Sequence, residues 1–109
     1  MKIIHVTNAV QWSGGMEQIA LLTGRLKELG AENYLVCPPD SELVRRLDGK
    51  LDGLFPVKMF QDYDLVAAWH LRKIVNELKP DVVHAHHAIA HAVSLVALTG
   101  TKSPALVVS

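Results

Sequence analysis

Four of the six histidines fall within eight positions, in the stretch Val-Val-His-Ala-His-His-Ala-Ile-Ala-His that ends at His91. Imidazoles can bind a metal, move a proton, or donate hydrogen bonds to hydroxyls and to developing negative charge. A metal needs three or four ligands that converge on one point. On a strand, His84 and His86 point one way and His87 the other, while His87 and His91 lie one helical turn apart. Convergence within the run is therefore unforced. The hydrolase pattern His-x-His-x-Asp-His fails as well, because Ala88 and Ile89 fill its last two places. No carboxylate lies in the run, and Ser94 sits in an apolar helical pattern outside any Gly-x-Ser-x-Gly elbow. The expectation is no metal, with neutral imidazoles acting as hydrogen-bond donors.

A second stretch, Thr-Asn-Ala-Val-Gln-Trp-Ser-Gly-Gly-Met-Glu-Gln over residues 7–18, holds Gly14 and Gly15 just before a helical pattern. Glycine lets the backbone approach a ligand, and a helix start offers unpaired N–H groups and a positive dipole. A phosphate suits such a place. The spacing is neither Gly-x-Gly-x-x-Gly nor a P-loop, which argues against nicotinamide, flavin or nucleotide-triphosphate binding of those kinds. Glu17 in the first turn complements the dipole or touches substrate. Trp12 is either a lid over a crevice or packing beneath it.

These residues need elements to position them. Lys2–Val6 reads as a strand, and Met16–Leu29 as a helix with Ile19, Leu22, Leu26 and Leu29 on one face and Gly30 as its stop. Asn33–Cys37 is a strand closed by Pro38-Pro39, and Ser41 can cap a short helix through Leu47. Leu54–Val57 is a weak strand. Asp64 can cap a helix carrying Leu71, Ile74, Val75 and Leu78 on one face, ended by Pro80. Asp81–Ala85 is a strand, Ile89–Thr99 an apolar helix closed by Gly100, and Ala105–Val108 a last strand. Strand–helix alternation implies an α/β fold: a three-layer, Rossmann-like parallel sheet. Right-handed crossovers favour strand order 3-2-1-4-5, which makes the first and fourth strands neighbours and sends their helices to opposite faces. Ligands bind above the carboxyl ends of such a pair. That topology brings the glycine pair and the histidines to one crevice.

With 109 residues, the chain is one domain or less. Eleven basic side chains balance eleven acidic ones, which offers no net field for nucleic acid. A single cysteine, Cys37, excludes an internal disulfide, fits a reducing cytoplasm and reads as a small buried side chain. No stretch reaches the ~20 apolar residues of a membrane span. A small basic cluster, Arg45, Arg46 and Lys50, is a solvated helix face or a patch peripheral to the inner membrane surface. A phospho-receiver reading fails, since Thr7-Asn8 and Val57-Lys58 stand where it needs acidic residues.

With Ser-Gly-Gly-Met-Glu after the first strand and Lys-Pro-Asp-Val-Val-His-Ala-His after the third helix, the sequence resembles the N-terminal domain of GT-B retaining glycosyltransferases of family 4. The likeness runs over residues 1–109. It implies a single, partial acceptor-side domain, with a C-terminal donor domain lying beyond the chain. By resemblance, Gly14 and Gly15 approach the donor phosphates and His84 and His86 line the acceptor cleft, where Glu17 and Trp12 are further candidates. The catalytic-region histidine is expected beyond Ser109, so the catalytic residue is unknown and the fragment inactive alone. The implied partners are a nucleotide-sugar and a carbohydrate or lipid-linked acceptor, with no cofactor and no metal, and the cut sheet is expected to self-associate. The alternative is a stand-alone α/β module that binds a phosphorylated or sugar ligand.

Overall fold

Strand and helix alternate from end to end: β1 (Lys2–Thr7), α1 (Gly14–Glu28), β2 (Glu32–Cys37), α2 (Glu42–Arg46), β3 (Gly53–Pro56), α3 (Leu65–Leu78), β4 (Val82–His86), α4 (Ala88–Ala97) and β5 (Ala105–Val108). The structure, a computed structural model, describes residues 1–11, 13–59, 64–86, 88–99 and 104–108. All strand pairs are parallel, in the order β3-β2-β1-β4-β5 that crossover handedness favours.

The sheet separates two cores. Ile4, Val6, Val83 and Ala85 pack under Leu71, Ile74 and Val75 of α3 and Ala90, Val93 and Ala97 of α4. On the other face, Met16 and Ile19 of α1 pack with Leu35 and Cys37 of β2 and with Leu43 of α2. Successive strand residues point to opposite faces. His5 and Thr7 of β1, and His84 and His86 of β4, therefore face the α1 side. Helices α1 and α4, which follow the adjacent strands β1 and β4, leave to opposite layers, as a switch point requires.

Capping sets the helix bounds. The Ser13 hydroxyl accepts from the Met16 N–H at 3.5 Å and its carbonyl from the Glu17 N–H at 3.0 Å. Helix α1 thus begins at Gly14, and the glycines form its first turn rather than preceding it. Its buried stripe is Met16, Ile19 and Thr23, with Leu22 and Leu26 half-buried. Leu29, expected on that face, is 83% exposed, because it is the C-cap where the chain leaves the helical path toward Gly30 at φ +88°. The Asp64 carboxylate caps α3 by accepting from the Ala67 N–H at 3.0 Å, and Ser41 caps α2 by accepting from the Leu43 N–H at 3.3 Å. Leu71, Ile74 and Val75 are buried and Leu78 half-buried. Lys79, at φ 51°, turns α3 off ahead of Pro80.

Smaller shifts occur at the strands. β3 starts at Gly53 and ends at Pro56, one residue before the expected Val57, and β4 runs one residue further than expected, through His86. Gly100, the expected stop of α4, lies outside the described residues. Cys37 is buried, and burial pushes its thiol up to about 11, which makes it an inert core side chain. Arg45 pairs with Glu42 along α2. Among the described residues no helix is long and apolar enough to cross a membrane.

Candidate functional site

The register of β1 against β4 sets His5 beside His84 and Thr7 beside His86. The rings of His84 and His86 lie 4.0 Å apart, centroid to centroid, and His5 lies 5.8 Å from each. One ring nitrogen from each of the three lies within 4.8 Å of the other two. His5 and Thr7 are fully buried, His86 is buried, and His84 is half-buried. Asn33 of β2 holds the innermost ring. Its Nδ2 donates to the Thr23 carbonyl at 3.2 Å, which turns its Oδ1 to His5 Nε2 at 3.0 Å. An amide oxygen only accepts, so His5 carries its proton on Nε2 and keeps a lone pair on Nδ1. That Nδ1 is buried and has no hydrogen-bond partner among the described residues.

Burial pushes the His5 ring down to about 4, against the opposing effect of the Asn33 bond and with a further push from His84. Burial lowers His84 as well. Near pH 7 both imidazoles are neutral, each with one donor and one acceptor nitrogen. His84 and His86 were readable as a pair from their alternation. His5 was missed: only the strand order and the exact β1–β4 register bring it to them, and residue spacing does not fix register.

Gly14 is exposed and Gly15 half-buried at the start of α1, above the carboxyl end of β1. A Cβ added at Gly14 meets nothing within 4 Å among the described residues, so their packing does not require glycine there. Met16 and Glu17 spend their N–H groups on Ser13. Those of Gly14 and Gly15 belong to the first helical turn, which has no intrahelical acceptor. Glu17 is exposed in the same turn. Trp12 and His87 lie outside the described residues. His91, half-buried on α4, is not part of the imidazole group, and Ser94 is fully buried in the same helix.

Beside this junction, a cavity of about 540 Å³ opens over the ends of β1, β2 and β3, lined by Asn8, Pro38, Pro39, Asp40, Lys58 and Met59. A second, of about 630 Å³, shares Pro39 and Lys58 with it and reaches His70 on α3. The crevice thus extends across the carboxyl edge toward β3. Asn8 and Lys58, which the sequence offered only as evidence against a phospho-receiver, bring an amide and a cation to it. Pro38-Pro39, which closes β2 at this edge, was the available signal.

The sequence model of Glycosyltransferase Family 4 matches residues 12–109. The chain belongs to glycosyltransferase family 4. Its fold is similar to that of MurG from Acinetobacter baumannii, with a TM-score of 0.73 and 15% identity, covering 98% of this chain and 34% of that one. It is also similar to a glycosyltransferase from Rickettsia africae, with a TM-score of 0.69 and 24% identity, covering 97% of this chain and 28% of that one. At these identities the likeness speaks for the fold. The family 4 chain described here spans about a third of the length of those proteins. No protein of curated function matches its sequence.

Proposed function

We propose that the chain is the acceptor-side, N-terminal domain of a two-domain GT-B enzyme that moves a sugar from a nucleotide-sugar to an acceptor hydroxyl with retained configuration. In this reading the Gly14 and Gly15 N–H groups approach the donor phosphates when a second domain closes over the crevice. The helix dipole and the open space at Gly14 support that role. His84 and His86 face the acceptor, with Glu17 at its rim. They orient the hydroxyl and stabilise developing charge, which neutral, preorganised imidazoles do well. The acceptor is a carbohydrate or lipid-linked sugar, the compartment is the cytoplasm, and the transfer step uses no cofactor beyond the nucleotide-sugar.

The observation that supports the reading is that α1 follows β1 and the histidines lie on the neighbouring strand β4, at the β1–β4 switch point, in a chain of this family. Replacing His84 or His86 by Ala in the two-domain enzyme is expected to lower transfer by roughly ten- to a thousand-fold, the range for a lost positioning or acid–base group. Unchanged turnover in both variants removes the histidines from the acceptor site.

A further inference from the structure

We infer that His5, His84 and His86 form a binding site for one divalent transition-metal ion of the zinc, cobalt or nickel type, which takes up two of the imidazoles that the proposed function assigns to the acceptor. Within the histidine run a third ligand was not forced; β1 supplies it. The ligand nitrogens of the three residues already lie within 4.8 Å of one another. Zinc holds imidazole nitrogens at about 2.0–2.1 Å, which sets them about 3.4 Å apart in a tetrahedral site. The trio therefore closes on an ion by moving roughly an ångström, a change within the reach of small side-chain rotations.

The independent observation is the state of His5. Its Nε2–H is committed to Asn33 Oδ1, and Asn33 is itself locked to the Thr23 carbonyl. This is the outer-shell arrangement that orients a metal-bound imidazole and raises its basicity. It leaves the Nδ1 lone pair buried and, among the described residues, without a hydrogen-bond partner. A buried acceptor left in that way costs free energy that an ion would recover. Neutral imidazoles favour zinc, cobalt, nickel and copper over calcium or magnesium, which take oxygen ligands. Three protein nitrogens leave a fourth position for water, on the side where His84 is half-buried.

The test uses the tag-free 109-residue chain, stripped with chelator and titrated with cobalt(II) at pH 7.5. Visible d–d absorption reports coordination, and circular dichroism reports the fold. Saturation at one equivalent is expected. His84→Ala, at the half-buried position, and His86→Gln are each expected to weaken binding by at least about tenfold, the range for damage to a metal shell. His70→Ala, an exposed imidazole on α3, leaves binding unchanged. No saturation below about 100 µM metal, or equal affinity in either trio variant, overturns the site. Neither readout depends on sugar transfer, so the proposal stands or falls apart from the enzyme activity.

Discussion

His5 makes the stability of this chain depend on acid. Its folded-state ring titrates at about 4, whereas an unfolded histidine titrates near 6.5. Between those values the unfolded chain takes up a proton that the folded one refuses, so stability is complete above about pH 6.5 and is lost as pH falls toward 4. The shift corresponds to about 3 kcal/mol over that window, and the lowered His84 acts in the same direction. Urea unfolding of chelator-treated protein at pH 7.5, 5.5 and 4.5 should show the decline, and His5→Gln should flatten it. An equal slope in the variant would place the acid sensitivity elsewhere. At this scale the sequence was informative where chemistry was local: His84 and His86 share a face by alternation alone, and Ser94 reads as core. His5 was silent because its meaning lies in a neighbour across the sheet and in Asn33 one strand further on.

The elements were legible because apolar spacing and cap residues agree. Leu71, Ile74 and Val75 repeat at helical spacing behind Asp64, and all three are buried. Asp64→Ala removes the acceptor for the Ala67 N–H and is expected to cost about 1 kcal/mol. For a domain of about this size that lowers Tm by about 4–8 °C. A thermal scan with an unshifted midpoint would mean that α3 is held by packing alone. Boundaries were harder to read. Glycine is a poor helix former, so Gly14 and Gly15 read as loop, yet the Ser13 cap pulls both into α1. Leu29 continues the apolar pattern of α1 in sequence but falls after the last helical residue, where no core remains to cover it.

Strand order followed from crossover handedness, since α/β alternation leaves few topologies. The cavity along β2 and β3 did not follow, because loop ends, not periodicity, shape it. The order also places β5 at the sheet edge, with Val107 and Val108 45% and 47% exposed. An apolar edge strand presents unpaired N–H and C=O groups that pair with copies of themselves. The 109-residue chain is expected to self-associate, as a two-fold dimer through β5, and light scattering across a concentration series checks it; a monomer at every concentration contradicts it. The central claim is that the start of α1 receives the donor phosphates. The most direct measurement titrates a panel of UDP-, GDP- and ADP-sugars into the proposed two-domain enzyme and into its Gly14→Val variant. Among the described residues a Cβ at Gly14 meets nothing within 4 Å, so the fold should be retained and any change reports the ligand. The account predicts at least about tenfold weaker binding of the preferred donor, the scale of about 1.4 kcal/mol for a lost close contact. Equal affinity in the two proteins would contradict it.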